Sequence, residues 1–236
     1  MSAILAIDTS TLTASAAVVT LAGAPLAVIG GDPDVRTERV LELCEQALAQ
    51  AGVARTALTA IAVGAGPGSF TSLRIGLATG KGLAYALGVP LWLASSLAAL
   101  AYDLAAVVPA DNALLVAALD ARRGEIYAGR FRRADGGLVA VGPEQVLPPA
   151  ELIAALDQPP VHLAGDALLA HADALAALPA HVIRHAAPRT PSGLGVARAA
   201  LAGDRVDRLH HGAPAYIRPS EAEVKYPDGV PGAWKR

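Results

Sequence analysis

The segment GAGPGSFTSLRIGLATGKGLAYALGVP, residues 64–90, combines a strand exit, a glycine-rich turn and one long helix. Pro67 has no N–H and Gly68 tolerates positive φ, so the sequence predicts a sharp turn there. Ser69 is the expected cap of the following helix, which ends at Gly88. This strand, turn and helix are the unit around which the rest of the chain is arranged.

The turn lacks the residues of a nucleotide-binding loop, although backbone N–H groups at a helix start can bind anions. A dinucleotide fingerprint needs a third glycine where Ser69 stands. A phosphate loop needs Gly-Lys-Ser/Thr, whereas Lys81 lies deep in the helix and precedes Gly82. The turn is therefore interpreted as structural.

Three glycines interrupt the helix, and each costs about 1 kcal/mol relative to alanine. Gly76 and Gly80 are four residues apart and share one face of the helix, while Gly82 lies elsewhere. Such a pair allows close approach by another backbone. Two interpretations stay open: packing on the chain's own sheet, or contact with a helix of a partner subunit.

The composition indicates a globular protein with ample core material. The chain has 236 residues, 53% of them hydrophobic, and a net charge of −2 that argues against strong nucleic-acid binding by this chain alone. No apolar run reaches the length of a membrane span, and MSAILAIDTS does not resemble a signal peptide. We expect a soluble cytoplasmic protein that does not bind membranes. The single cysteine, Cys44, is expected to be buried.

The order of predicted elements starts again halfway along the chain. Three strands, a helix and further alternating strands and helices precede the segment VVPADN at 107–112, and the same β-β-β-α-β-α order follows it. Asp8 ends the first strand of one half and Asp120 ends the first strand of the other. This predicts a duplicated α/β fold with lobes at 1–106 and 107–220, and a poorly ordered tail at 221–236.

The first helix is predicted at 38–50, with Thr37 as its cap. Its apolar stripe is assigned to residues at helical spacing, leaving Leu43 off the stripe; the stripe comprises Val40, Leu41, Cys44, Ala47 and Leu48. His181 and His185 flank a β-branched centre between prolines, so this segment is expected to be extended. The two imidazoles would then be about 13 Å apart, too far to share a metal ion.

Four motifs resemble the TsaB (YeaZ) family within the actin, sugar kinase and heat-shock ATPase superfamily. They are ILAIDTSTLTASAAVV at 4–19, residues 64–91, ALDARRGEIYAGRF at 118–131 and AYIR at 215–218. The resemblance implies an actin-like fold and a bacterial subunit of the machinery that makes threonylcarbamoyladenosine next to the tRNA anticodon. Ser72 departs from the usual glycine and Arg36 from a common histidine, in segments linked to partner contacts.

The paralogous catalytic subunit TsaD has a metal-binding histidine pair after the corresponding helix. In this chain Ser96 and Leu100 occupy those two positions. Leucine cannot ligate a metal, so the resemblance implies neither catalytic residues nor a metal site. A peptidase is disfavoured as well, because there is no His-Glu-x-x-His and no definable serine-histidine-aspartate set.

The superfamily holds nucleotides at the turns that follow the first strand of each lobe. Asp8, Thr9, Ser10 and Asp120 are therefore the residues of a vestigial nucleotide site. In the second turn, DARRGE, arginines stand where active ATPases use glycines that close on phosphate. No cofactor is expected, and at most weak binding of ATP or ADP.

The resemblance implies a non-catalytic scaffold that activates TsaD, together with the ATPase subunit TsaE, and meets tRNA only within the complex. The alternative is an autonomous actin-like ATPase or small-molecule kinase. The first two helices are expected to pair with those of TsaD, or with a second copy in a homodimer. The predicted contact residues are Arg39, Leu43, Gln46, Phe70, Leu73, Gly76, Leu77 and Gly80.

Overall fold

The computed structural model describes residues 2–30, 36–109, 112–134, 137–157 and 160–218. The predicted tail at 221–236 lies outside the described residues, as does part of the expected lobe boundary at 107–112. No helix in these ranges combines the length and apolar character needed to cross a bilayer.

In the described residues of the first half, five strands and three α-helices are present. They are β1 (Ala3–Asp8), β2 (Ser15–Thr20), β3 (Pro25–Gly30), α1 (Val40–Ala51), β4 (Leu58–Gly64), α2 (Phe70–Leu87), β5 (Leu91–Ala94) and α3 (Ser96–Val107). The strands form one sheet in the order β3-β2-β1-β4-β5. β1 is antiparallel to β2 and parallel to β4, with Ile7 opposite Ala16 on one side and Val63 on the other. All six residues of β1 are buried, as expected for a central strand.

The second half repeats this arrangement. Its elements are β6 (Leu114–Arg122), β7 (Glu125–Ala134), β8 (Gly137–Ala140), β9 (Gln145–Leu147), α4 (Pro149–Ala154), β10 (Val161–Ala164), α5 (Ala167–Ala170), β11 (Val182–Arg184) and α6 (Gly193–Ala202). The second sheet runs β8-β7-β6-β10-β11, and β9 pairs with β7 outside that order. When the strands of each half are numbered in chain order and β9 is left out, both sheets have the same strand order, 3-2-1-4-5. The predicted duplicated actin-like fold is confirmed; β9 was not predicted.

Two helices connect the lobes by packing on the sheet of the other half. Helix α3 belongs to the first half by sequence, yet Leu97, Leu100 and Leu104 pack with residues of β6 and β7. Helix α6 belongs to the second half, yet Val196 and Ala197 pack against β1, β2 and β4. The two helices also contact each other. Each sheet is therefore covered on one face by a helix from the opposite half of the sequence.

Helix α1 differs from the prediction in its start and in its buried face. Arg39 is the N-cap residue, and a short 3₁₀ turn at Thr37–Arg39 precedes the helix. The Thr37 hydroxyl instead donates to the carbonyls of Thr11 and Leu12, both at 3.3 Å. Thr37 therefore ties the helix start to the turn after β1 and does not cap it.

The buried stripe of α1 consists of Val40, Leu43, Cys44, Ala47 and Leu48. These residues follow the i, i+3, i+4, i+7, i+8 spacing of one helix face. Leu43 is only 3% exposed and Leu41 is 51% exposed, so the assignment of these two leucines was wrong. Cys44 is buried, as predicted, and burial raises the pKa of its thiol to about 12.

The turn before α2 is sharp, but its details differ from the expectation. The positive φ, 104°, belongs to Gly66 and not to Gly68. Gly68 is needed for a close approach, because a Cβ there would lie 2.2 Å from the Ser10 carbonyl oxygen. Ser69 is the N-cap residue, although its side chain makes no capping bond. The Ser69 N–H donates to that same Ser10 carbonyl at 2.7 Å, which joins the two turns.

Candidate functional site

A cleft of about 1410 Å³ separates the two lobes. The turn after β1, the start of α2, the β6–β7 turn and the last described residues all reach it. Residues 186–190 and Asp166 complete the wall. The cleft therefore lies where the two predicted nucleotide turns face each other.

Asp8, the first of the predicted nucleotide residues, does not reach this cleft. It is 1% exposed, and its Oδ1 accepts bonds from Ser10 N at 2.8 Å and Ser10 Oγ at 2.6 Å. Its Oδ2 accepts a bond from Ser96 Oγ at 2.8 Å, and a Cβ on Gly64 would lie 2.0 Å from that oxygen. Burial raises the pKa of the Asp8 carboxyl, although the bonds from Ser10 and Ser96 oppose the shift. Asp8 is a structural acid enclosed within the first lobe.

Thr9 is also turned away from the cleft. Its hydroxyl donates to the Ser72 carbonyl at 2.8 Å. A Cβ on Gly76 would lie 2.1 Å from that hydroxyl oxygen, so Thr9 packs directly on α2. Of the first turn, Ser10 lines the cleft, together with residues 11–13.

Asp120 does line the cleft, but its carboxylate already has several partners. Its Oδ1 accepts a bond from Arg122 N at 2.8 Å and lies 3.1 Å from His171 Nε2. Its Oδ2 lies 3.1 Å from an Arg122 guanidinium nitrogen. Asp120 N donates to Asp166 Oδ1 at 2.8 Å, and burial raises the pKa of the Asp166 carboxyl to about 6. The structure thus separates Asp8 and Thr9 from Ser10 and Asp120.

The turn between β6 and β7 carries two arginines with left-handed backbones. The φ angles are 61° at Arg122, 55° at Arg123 and 80° at Gly124. Non-glycine residues seldom adopt this conformation, and asparagine or aspartate is favoured where they do. Asp120 supports the turn through the bond from Arg122 N.

The last described residues form a strap across both lobes that sequence reasoning did not find. Ala215 N donates to the Ala65 carbonyl at 2.7 Å in the first lobe. Tyr216 stacks on Phe70 with ring centroids 5.2 Å apart. Arg218 donates to the Ala121 carbonyl at 3.0 Å in the second lobe and pairs with Glu125 at 3.1 Å. The motif AYIR was visible in the sequence, but no local pattern indicated which residues it would contact.

The eight predicted partner-contact residues divide into two groups. Those exposed at the surface are Arg39, Gln46 and Phe70. Those buried within the chain's own structure are Leu43, Leu73, Gly76, Leu77 and Gly80. The exposed apolar surface expected from Leu43 and the two glycines is therefore not present.

Gly76 and Gly80 of α2 face the chain's own core and not a partner. A Cβ on Gly80 would lie 2.3 Å from Val63 Cγ2, and one on Gly76 would meet Thr9, so both glycines allow α2 to pack on its own sheet and turn. Gly82 differs, since a Cβ there would meet no heavy atom within 4 Å. The outward stripe of α2 contains Arg74, Ala78, Gly82 and Tyr85, all exposed.

The positions aligned with the TsaD histidine pair lie in the core. Ser96 is fully buried and bonded to Asp8, and Leu100 is buried among the residues under the second sheet. Residues 182–184 form a strand, as predicted, and His185 is hydrogen bonded to His162 at 2.8 Å between ring nitrogens. Among the described residues, no three His, Cys, Asp or Glu side chains are grouped as a metal site would require.

Comparison with known proteins gives consistent matches. The family model for TsaD, tRNA N6-adenosine threonylcarbamoyltransferase, matches residues 36–226. The tRNA threonylcarbamoyladenosine biosynthesis protein TsaB of Bacillus subtilis is 33% identical over 174 residues, covering 72% of this chain and 73% of that protein. The solved structure of YeaZ from Pseudomonas aeruginosa has a TM-score of 0.74 and 31% identity, covering 92% of this chain and 100% of that one.

The match to TsaB of Escherichia coli is 36% identical over 135 residues and covers 57% of each chain. The chain thus spans just over half the length of that relative. The two relatives matched by sequence and the solved structure are named TsaB or YeaZ.

Proposed function

The chain belongs to the TsaB (YeaZ) family, and we propose that it acts in threonylcarbamoyladenosine synthesis as a non-catalytic subunit that holds and activates TsaD. The observation that carries the proposal is the replacement of the TsaD histidine pair by Ser96 and Leu100, both enclosed in the core. The names of the Bacillus subtilis and Escherichia coli relatives support the pathway. The match to the TsaD model itself supports descent from a common ancestor with the proposed partner.

The proposed partner surface is the outward face of α1 and α2. Leu41 is 51% exposed and Tyr85 is 77% exposed, so both side chains are available for contact with a partner. The outward stripe of α2 also presents small residues at Ala78 and Gly82, which let another helix approach closely. Because TsaD is related to this chain, its corresponding helices can pack against these in a pseudo-twofold manner, and a homodimer can use the same face.

The functional test is threonylcarbamoyl transfer to tRNA by TsaD and TsaE, with and without this chain. We expect transfer to require all three proteins. Equal transfer rates in the presence and absence of this chain would contradict the proposal. If this chain alone hydrolyses ATP as fast as the complete mixture transfers the threonylcarbamoyl group, the kinase alternative would be favoured.

The partner surface is tested by Gly82→Trp, which adds bulk at an exposed position without entering the core. We expect the affinity for TsaD to fall at least tenfold, or about 1.4 kcal/mol, with an unchanged circular dichroism spectrum. Gly82→Ala is the matched control, since a methyl group leaves room for the partner helix. Affinities equal to wild type for both variants would remove this face from the interface.

A further inference from the structure

The C-terminal strap, residues 215–218, has no part in the proposed function, although it is held on both lobes. Ala215 N donates to a first-lobe carbonyl at 2.7 Å, just before α2. Ile217 packs into the hydrophobic cluster between α3 and the second sheet. Arg218 donates to a second-lobe carbonyl at 3.0 Å. The backbone on either side of Tyr216 is therefore fixed by contacts of its neighbours.

Tyr216 itself belongs to a cluster of three side chains at the start of α2. Its ring stacks on Phe70 with the ring centroids 5.2 Å apart, and its hydroxyl oxygen accepts a bond from Arg74 Nε at 3.2 Å. The guanidinium carbon of Arg74 lies 3.7 Å from the centre of the Phe70 ring, which is a cation–π contact. Each of the three side chains therefore contacts the other two.

The cluster is exposed despite these internal contacts. Phe70 is 41% exposed, Tyr216 is 42% exposed, and Arg74 is exposed as well. Tyrosine and arginine are enriched among the residues that dominate binding energy in protein interfaces, and phenylalanine is enriched in interface cores. Side chains that are already ordered lose little conformational entropy when a partner covers them. The cluster thus has the composition and the order of an interface anchor.

The cluster forms one end of the outward stripe of α2. Phe70, Arg74, Ala78 and Gly82 follow one another at four-residue intervals, the row that helices use as a ridge in packing. From Phe70 to Gly82 this row is about 18 Å long, since a helix rises about 1.5 Å per residue. A helix of similar length laid along the small residues at Ala78 and Gly82 therefore also reaches the ring of Tyr216.

The charge of α2 favours a partner of different sequence over a second copy. Helix α2 contains Arg74 and Lys81 and no acidic residue. The two acids of α1, Glu42 and Glu45, already pair with arginines of this chain at 2.8 and 2.7 Å. Two copies that met through α2 would bring like charges together. A partner helix with a carboxylate opposite Arg74 would instead form a charge-assisted contact.

We propose that the strap is part of the partner surface, in which Phe70, Arg74 and Tyr216 form an anchor that a helix of TsaD covers, with an acidic side chain of that helix facing Arg74. The inference rests on the proposed function, because it takes TsaD as the partner and the outward face of α2 as its docking site. It adds a residue from the second half of the sequence to that face. Because Arg218 holds the strap on the second lobe, the complete surface requires both lobes.

Photo-crosslinking tests the contact directly. The photoreactive residue p-benzoylphenylalanine replaces Tyr216 in one chain, Tyr85 at the other end of the stripe in a second, and Val139 in a third. Val139 is 57% exposed on β8 of the second lobe and serves as the control. We expect crosslinks to TsaD from positions 216 and 85 and none from 139. A crosslink to TsaD from position 85 without one from 216, or crosslinks from 216 only to a second copy of this chain, would overturn the inference.

The affinity for TsaD provides the second measurement. Tyr216→Ala should weaken binding at least tenfold, whereas Tyr216→Phe, which keeps the ring, should stay within threefold of wild type. Arg74→Gln should weaken binding at least threefold and reduce its dependence on salt concentration, an effect that loss of packing alone would not produce. Val139→Ala is the matched control and should stay within twofold.

The two proposals fail in different ways. If the wild-type chain forms no complex with TsaD, the proposed function fails and this inference with it. If Gly82→Trp weakens the complex and Tyr216→Ala does not, the partner face on α2 stands and only the role of the strap is overturned.

Discussion

Asp8 shows how a residue expected in a ligand site has become part of the core. Its carboxylate accepts three hydrogen bonds, from the Ser10 N–H, the Ser10 hydroxyl and the Ser96 hydroxyl. Ser96 Oγ also accepts a bond from Gly66 N at 3.2 Å. Asp8 thereby connects the turn after β1, the turn before α2 and the start of α3.

Asp8→Ala should destabilise the fold, because it leaves three buried donors without their acceptor. We expect a loss of about 2–4 kcal/mol in the free energy of unfolding, measured by urea denaturation. Asp173→Ala, at an exposed acid with no side-chain capping bond, should change it by less than about 0.5 kcal/mol. Unchanged stability of Asp8→Ala would show that the carboxylate is not structural.

Asp103 should make stability depend on pH. It accepts bonds from the Ser192 hydroxyl at 2.7 Å and the Ser192 N–H at 2.8 Å, and burial raises its pKa from 3.8 to about 6. The folded state therefore binds a proton more tightly than the unfolded state. The contribution of Asp103 to stability falls as pH rises from about 4 to about 6.

Asp103→Asn removes this titration. When the pH is lowered from 7.5 to 4, the unfolding free energy of wild type should increase relative to that of Asp103→Asn by about 2–3 kcal/mol. Urea denaturation at several pH values measures it. Parallel pH profiles for the two proteins would contradict this assignment.

At the scale of the element, α2 contains two glycines with opposite roles. A Cβ on Gly80 would collide with Val63, whereas one on Gly82 would meet open space. Both glycines lie within the same helix and carry the same cost in helix propensity. The same substitution at the two positions therefore separates core packing from helix propensity.

Gly82→Ala should raise the free energy of unfolding by about 1 kcal/mol, the helix preference of alanine over glycine. Gly80→Ala should lower it by about 1–3 kcal/mol, because the added methyl group overpacks the contact with β4. Thermal and urea unfolding of both variants under one set of conditions measures the pair. Two changes of the same sign would refute the assignment of faces.

The sequence predicted most of the strands and helices, although not β9, but it did not predict which faces of α1 and α2 are buried. Alternating apolar runs and glycine punctuation predicted the strands and the duplication, because these signals are local. Leu41 and Leu43 were exchanged although the i, i+3 spacing from Val40 already places Leu43 on the buried face, so this error was one of interpretation and not of missing signal. The bonds of His171 and of the 215–218 strap join residues far apart in sequence, and no local pattern encodes them.

At the scale of the molecule, the exchange of α3 and α6 makes the two lobes depend on each other. Residues 1–109 lack α6, so the apolar face of the first sheet would be exposed; its members include Ile4, Ala6, Ala17, Val19, Ala60 and Ala62. Helix α3 would likewise have lost the second sheet, on which Leu97 and Leu100 pack. The lobes proposed at 1–106 and 107–220 thus repeat the same strand order, but they share their hydrophobic core.

Residues 1–109 expressed alone should aggregate, and co-expression with residues 110–236 should yield a soluble complex. Solubility and size-exclusion chromatography measure the outcome. A full chain carrying a protease site at 110–111 is the control, since cleavage after folding should leave the halves associated. A soluble, monomeric 1–109 fragment with cooperative unfolding would contradict the shared core.

The position of α6 near the end of the chain has a consequence during translation. The first sheet can pair its strands once β5 has left the ribosome, but the helix that covers its inner face is synthesised about 100 residues later. At about 5–20 residues per second, that face stays uncovered for roughly 5–20 s on every nascent chain. The ribosome-bound intermediate therefore exposes this apolar face, and slow codons between β5 and α6 would lengthen the exposure.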